Sequence, residues 1–327
     1  MSTSTFERST ITIPSAHAGW NFDTWCYFPS GSSSGPRPVV IMAHGLSGTK
    51  LMGLGPYAEA FATSNYACVI FRLPPLGYFG TAEVCNVDGA PRWIVSVADQ
   101  LEDYRTVIKW ARQQVKIDPH RLVLWGTSFS GRRFVETSPS QVLKVILLRR
   151  RALSPARPLS MVLLKTMYCA VVDSIKRLFG LGPMYIPVVA APSEVGGLTT
   201  EGAQEGFNNI CRGLTCMNAS AIFQIMRYKA INSAANTLCP ILIVAPEDDN
   251  LCSLWAAADV ADKVSKGEIL KIHKAGHFDI YPNSSHHGES ISSQLQFLQR
   301  VVPVQVLVWQ SQILMIIERI LSVILET

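Results

Sequence analysis

Trp125-Gly126-Thr127-Ser128-Phe129-Ser130-Gly131 follows the strand-forming run Arg121-Leu122-Val123-Leu124 and leads into a segment of helical character. A serine set between small residues, where a buried strand gives way to a helix, is the pattern of a nucleophile elbow. The turn must be sharp enough to hold the hydroxyl above the sheet. Small neighbours relieve the crowding, and the helix start offers backbone N–H groups to an oxyanion. Ser128 is therefore the candidate nucleophile. The usual pattern has glycine two places after the serine, whereas here Ser130 stands there and Gly131 follows it.

A serine hydroxyl is a poor nucleophile at neutral pH and needs a base to take its proton, with a carboxylate to hold that base in the right tautomer. After an elbow the expected order is serine, acid, histidine, with acid and base each just past the C-terminal end of a later strand. The apolar run at residues 241–245 is followed by Glu247-Asp248-Asp249-Asn250, and the one at 269–273 by Ala275-Gly276-His277. Asp249 is preferred as the acid because Asn250-Leu251-Cys252-Ser253 turns the chain toward the next helix; Asp248 is the alternative, and either aspartate would also suit a helix N-cap. His277 sits in a loop behind glycine and is the expected base. His273 falls within the strand, and His286 and His287 open a helix as a solvated pair. The remaining part is an oxyanion hole. His44-Gly45-Leu46 follows the strand at residues 39–43, so the backbone N–H groups of Leu46 and Phe129 are the expected donors, each contributing about 2.7 to 4 kcal/mol to the barrier lowering. Taken alone, His44-Gly45 is an ordinary strand-end turn.

Around these residues the chain alternates strand and helix, which predicts a mostly parallel sheet. Residues 9–14 and 20–29 read as an opening antiparallel pair, residues 66–71 as a further buried strand, and 72–91 as a long loop. Ile94, Val97, Leu101, Tyr104, Ile108 and Ala111 mark one buried face of a helix beginning near Arg92, with Ile117-Asp118-Pro119-His120 as the turn after it. Beyond the elbow, 144–148 is a further strand, and 149–158, rich in arginine and proline, a linker. Helical stretches at 160–179, 200–213 and 219–232 predict an inserted helical cap, before a helix near 254–264 and a final one at 286–302. The domain reading is thus a core at 1–148, a cap at 149–231, the rest of the core at 232–303 and an apolar tail at 304–327. In the tail, Trp309, Ile313, Ile316, Ile320 and Val323 follow helical spacing. It is expected to pack on the body or on a second copy in a homodimer, with membrane-surface contact as the alternative, and it is too interrupted by polar residues to span a membrane.

With 327 residues, 48% of them hydrophobic, the chain has ample material for a core. A net charge of +5, dispersed apart from Arg149-Arg150-Arg151, gives no footprint for nucleic acid. The N-terminus lacks the apolar core of a signal peptide, which predicts a cytoplasmic protein. Its eight cysteines show no Cys-x-x-Cys pair and no His–Cys metal spacing, so reduced, mostly buried thiols are expected, with no metal.

With these residues in hand the chain resembles the α/β-hydrolase superfamily, and more narrowly its dienelactone-hydrolase-like and fungal polyketide-transferase-like group. The stretches that carry the likeness are Met42-Ala43-His44-Gly45-Leu46, Gln100-Leu101-Glu102-Asp103-Tyr104, Ile117-Asp118-Pro119-His120-Arg121, Gly126-Thr127-Ser128-Phe129-Ser130-Gly131 and Gly276-His277-Phe278-Asp279-Ile280-Tyr281. Gly-Thr-Ser-Phe-Ser-Gly looks like that group's own elbow. The resemblance implies an α/β fold with helices on both faces of the sheet. It also implies a serine hydrolase or acyltransferase acting, without cofactor, on an ester or thioester of a polyketide or fatty-acyl-like small molecule, in fungal secondary-metabolite or toxin biosynthesis. A peroxisomal setting follows by pathway analogy, but Leu325-Glu326-Thr327 does not match a peroxisomal address. Leu163, Leu164, Val171, Val172 and Ile175 of the cap are expected to shelter an apolar acyl chain. One departure is Arg132-Arg133-Phe134-Val135-Glu136, which puts charges in the first turns of the helix behind the nucleophile. It leaves as an alternative an impaired homologue serving as a binding or assembly protein; a general carboxylesterase with no dedicated pathway is a separate one.

Overall fold

The computed structural model describes residues 5–17, 20–30, 35–71, 94–130, 143–146, 161–211, 215–228, 231–252 and 254–304. The arginine-bearing segment after the elbow, the loop at 72–91 and the tail from 305 lie outside the described residues.

Strands β1 (Phe6–Pro14) and β2 (Asn21–Pro29) form an antiparallel hairpin at one edge of the sheet, and β2 also pairs antiparallel with β4 (Ala67–Phe71). From there the pairing is parallel through β3 (Arg37–Ala43), β5 (Ile117–Gly126), β6 (Leu143–Ile146), β9 (Ile241–Pro246) and β10 (Gly267–Ile272). The resulting order is β1-β2-β4-β3-β5-β6-β9-β10. The continuous apolar runs of β3, β4 and β9 arise because both faces are covered. Val39, Ile41 and Ala43 join the core on one side with α2 (Val97–Arg112) and α7 (Leu254–Lys263). Val40 and Met42 join the core on the other with α1 (Leu54–Thr63) and α8 (His287–Val301). A one-residue slip of β3 would exchange these two sets and misplace the loop that follows it.

Two boundaries differ from the sequence reading. Helix α2 begins at Val97, because Ser96 is extended and its Oγ accepts the N–H of Asp99 at 3.3 Å; Ile94 lies before the helix. Ile117-Asp118-Pro119-His120 belongs to β5 rather than to a turn before it. Arg37 pairs with Ile117, then the register shifts so that Val39 meets Leu122. Asp118 accepts the His120 N–H at 2.9 Å and Arg121 Nε at 2.6 Å, so the turn chemistry is absorbed as a bulge within the strand.

Between β6 and β9 stand α3 (Met161–Leu178), β7 (Tyr185–Pro187), α4 (Ala203–Ile210), β8 (Cys216–Asn218), α5 (Ala221–Arg227) and α6 (Ile231–Ala234). The β7–β8 antiparallel pair was not foreseen, since three residues are too few for a periodicity. Buried Asp173 on α3 accepts the N–H groups of Met184 at 2.7 Å and Ser220 at 2.8 Å. Asn218 and Gln224 in turn accept the N–H groups of Val95 and Val97 at 2.7 and 3.0 Å. The inserted elements are thereby fastened to the start of α2. The expected acyl shelter takes a different form: Leu163, Leu164, Val171 and Ile175 are exposed, and the buried positions of α3 are Thr166, Ala170 and Asp173.

Candidate active site

Four loops meet above the C-terminal ends of β3, β5, β9 and β10. At the end of β5, Ser128 has φ 54°, in the left-handed region that a β-carbon disfavours by roughly 1–2 kcal/mol. Thr127, Phe129 and Ser130 are buried while Ser128 is partly exposed, so the turn lifts one residue out of the core. The β3 loop lies directly on this turn. A β-carbon at Gly45 would stand 2.8 Å from the Ser128 β-carbon and 3.3 Å from the Phe129 nitrogen, so only glycine lets the two backbones approach this closely. The candidate oxyanion donors Leu46 and Phe129 flank this contact, both buried.

His44 anchors the β3 loop. Its Nδ1 accepts the Gly45 N–H at 2.8 Å, which leaves Nε2 as the protonated nitrogen, donating to the Met52 carbonyl at 2.9 Å. Burial above all, opposed by the Met52 hydrogen bond and assisted by nearby His277, brings its pKa down to about 4. Ser130, in the position where glycine is usual, ties two elements to this loop. Its hydroxyl donates to the His44 carbonyl and accepts from the Tyr104 hydroxyl of α2 at 2.8 Å. No reading of spacing could have supplied that role.

The structure brings His277 and Asp249 together: His277 Nδ1 lies 2.8 Å from Asp249 Oδ2, with side-chain exposures of 10% and 4%. The other Asp249 oxygen accepts the N–H groups of Leu251 at 2.9 Å and Cys252 at 2.6 Å, which fixes the carboxylate. Asp248 is exposed and lies outside this pair. His273 is exposed and pairs with Glu247 at 2.7 Å. His287, read from the sequence as solvated, instead stacks edge-on against Tyr57 at 4.6 Å and donates from Nδ1 to the Ile280 carbonyl at 3.0 Å.

Tyr281 joins the parts. Its hydroxyl shares a hydrogen bond of 2.8 Å with Thr127, beside Ser128, and its ring lies 6.0 Å from His44 and 6.4 Å from His277. Burial pushes its phenol pKa up, so it serves as a neutral hydrogen-bonding group. Phe278 packs edge-on against His277 at 4.8 Å, and α4 presses on it from above: a β-carbon at Gly206 would fall 2.0 Å from the Phe278 ring. Cys252 Sγ lies 3.0 Å from His277 Nδ1. Tyr281 and Cys252 fall in stretches that the sequence reading uses, but nothing in their spacing assigns either of them a place at the site. None of the seven described cysteines forms a disulfide, and among the described residues no helix is long and apolar enough to cross a membrane.

The chain has the α/β-hydrolase fold. The α/β-hydrolase GrgF from Penicillium sp. sh18 superposes on it with a TM-score of 0.71 at 18% identity, covering 91% of this chain and 100% of that one. Among curated proteins, the quorum-quenching protein AidA of Acinetobacter baumannii is 29% identical over 91% of this chain and 99% of its own length. The polyketide transferase ATR5 of Stachybotrys chlorohalonatus is 22% identical over 85% of this chain and 92% of its own. The thiohydrolase aneE of Aspergillus aculeatus is 36% identical over 101 residues, 31% of this chain and 29% of its own. No family model matches the chain.

Proposed function

We propose that the protein is a serine hydrolase that cleaves an ester or thioester of a polyketide or fatty-acyl-like small molecule. The observation that carries this reading is the part-buried Asp249–His277 hydrogen bond, beside an elbow whose Ser128 is partly exposed between buried Thr127 and Phe129. In the proposed reaction His277 Nε2 takes the Ser128 proton as Oγ attacks the acyl carbon. Asp249 holds the Nδ1 proton and so keeps Nε2 free to accept. The negative charge that develops on the carbonyl oxygen is met by the backbone N–H groups of Leu46 and Phe129. The alcohol or thiol leaves with the proton from His277, and water, or an alcohol in a transfer reaction, then releases the acyl group from Ser128. Similarity to a thiohydrolase and to a polyketide transferase supports an acyl thioester over a short-chain ester as substrate.

Labelling with a fluorophosphonate probe tests the class, and comparison of acyl-thioester with p-nitrophenyl acetate turnover tests the substrate. The wild-type chain is expected to be labelled at Ser128, and Ser128→Ala to lose both label and turnover. Undiminished labelling of that variant removes Ser128 from the mechanism. A preference for short esters instead supports a general carboxylesterase.

A further inference from the structure

We propose that Asp249, Cys252 and His277 form a site for a soft divalent cation of the Zn2+ type, and that filling it switches the enzyme off. The inference rests on the role proposed for His277, but the site itself rests on geometry. One oxygen, one sulfur and one nitrogen donor from these residues lie within 4.8 Å of one another. His277 Nδ1 is 2.8 Å from Asp249 Oδ2 and 3.0 Å from Cys252 Sγ. They come from the loops after β9 and β10, neighbouring parallel strands, so the fold rather than the ion brings them together. The Cys252 N–H also donates to Asp249 Oδ1 at 2.6 Å, which holds thiol and carboxylate in one turn.

The donor set selects the ion. A thiolate, an imidazole and a carboxylate suit Zn2+, whereas Mg2+ and Ca2+ require mostly oxygen. Zinc bonds of about 2.0 to 2.3 Å place tetrahedral ligand atoms about 3.4 to 3.7 Å apart, about half an ångström beyond the 2.8 and 3.0 Å that separate Nδ1 from Oδ2 and Sγ. Three protein ligands leave the fourth position to water.

Switching follows from proton bookkeeping. In the metal-free site the single imidazole proton is on Nδ1, facing Asp249, and Nε2 is the free acceptor. When the ion takes the Nδ1 lone pair, that proton transfers to Nε2, and the Cys252 thiol gives its proton to solvent. A doubly charged ion then sits against one thiolate and one carboxylate, and the site is neutral. The imidazole is left as the Nε2–H tautomer, which cannot accept the serine proton. Because a thiol must ionise, occupancy falls as pH falls.

The test uses the purified full chain with ZnCl2 and, as a coloured substitute, CoCl2. Wild type is expected to bind one Zn2+ with a rise in melting temperature, to show a thiolate-to-Co2+ charge-transfer band, and to lose esterase turnover in a manner that EDTA reverses. In Cys252→Ser the band should vanish, and the Zn2+ needed for half-inhibition, relative to that variant's own zinc-free rate, should rise about tenfold or more. Loss of a mere outer-shell partner already weakens metal binding about 10- to 100-fold. Cys252→Ala repeats the comparison should the buried hydroxyl disturb the turn. An unchanged band or unchanged zinc sensitivity in both variants overturns the site and leaves the hydrolase reading intact. Zinc bound through Cys252 in a chain that turns over no ester upholds the site and removes the hydrolase reading.

Discussion

Acidification should loosen this protein through His44 more than through any surface carboxylate. The imidazole is buried and satisfied only as the neutral Nε2–H tautomer, because Nδ1 must accept from Gly45 while Nε2 donates to Met52. Protonation would turn Nδ1 into a donor facing another donor. The folded-state pKa of about 4 against 6.5 for an ordinary imidazole means that the unfolded chain binds the proton first as pH falls. This stabilisation is therefore complete above about pH 6.5 and is lost progressively toward pH 4. At about 1.36 kcal/mol per pH unit it amounts to about 3 kcal/mol in all, of which about 2 kcal/mol is gone by pH 4.5. His44→Gln places a non-titrating amide that still reaches the Met52 carbonyl. Urea unfolding followed by tryptophan fluorescence, with Trp125 a buried reporter, should show wild type losing about 2 kcal/mol more than His44→Gln between pH 7 and 4.5, at unchanged m-value. Equal losses in the two proteins would refute the claim that His44 is held neutral by its surroundings.

Other substitutions probe the contacts that surround the candidate triad. Ser130→Ala removes both the donor to the His44 carbonyl and the acceptor for Tyr104, and is expected to lower stability by about 2–3 kcal/mol. Tyr104→Phe should lower it by less, and the double variant by less than the sum of the two; strict additivity in urea melts would show that the hydroxyls are not coupled. Gly206→Ala forces a methyl against the Phe278 ring and should destabilise by about 1–3 kcal/mol. Phe278→Leu in the same chain should recover part of the loss, which differential scanning calorimetry would detect.

The fold was legible because its signals are local. Buried parallel strands announce themselves as apolar runs such as residues 39–43 and 241–245, and the order of serine, acid and histidine loops follows from where those strands end. What could not be read depends on which side chains the tertiary structure brings face to face. Ser130 departs from the usual glycine pattern and matches the elbow of the group the chain resembles, yet neither reading reveals Tyr104 and the His44 carbonyl on either side of it. His287 looked solvated because nothing in its neighbourhood of sequence reveals Tyr57. Asp118 and Pro119 carried turn chemistry, and that chemistry was spent on a bulge because Arg37 still had a partner in Ile117. Leu163, Leu164, Val171 and Ile175 repeat at helical spacing, yet spacing says only that they share a face, not whether that face is covered.

Five non-glycine residues among those described have positive φ, and four of them, Ser47, Ser128, Lys274 and Asn283, lie on the loops that carry the oxyanion donors, the serine and the histidine. Each such residue costs about 1–2 kcal/mol and persists only where its surroundings over-determine it. Here the surroundings are shared. Ser130 binds the carbonyl of His44, His44 binds the carbonyl of Met52, and Thr127 binds Tyr281, whose ring packs near both His44 and His277. A glycine at position 130 would fit the elbow sterically but would leave the His44 carbonyl without the hydroxyl that ties the oxyanion loop to the nucleophile turn. The serine thus does more than tolerate the tight turn. It couples the strain at Ser128 to the loop carrying Leu46, so that the candidate nucleophile and the candidate oxyanion donors are held in one geometry before any substrate arrives.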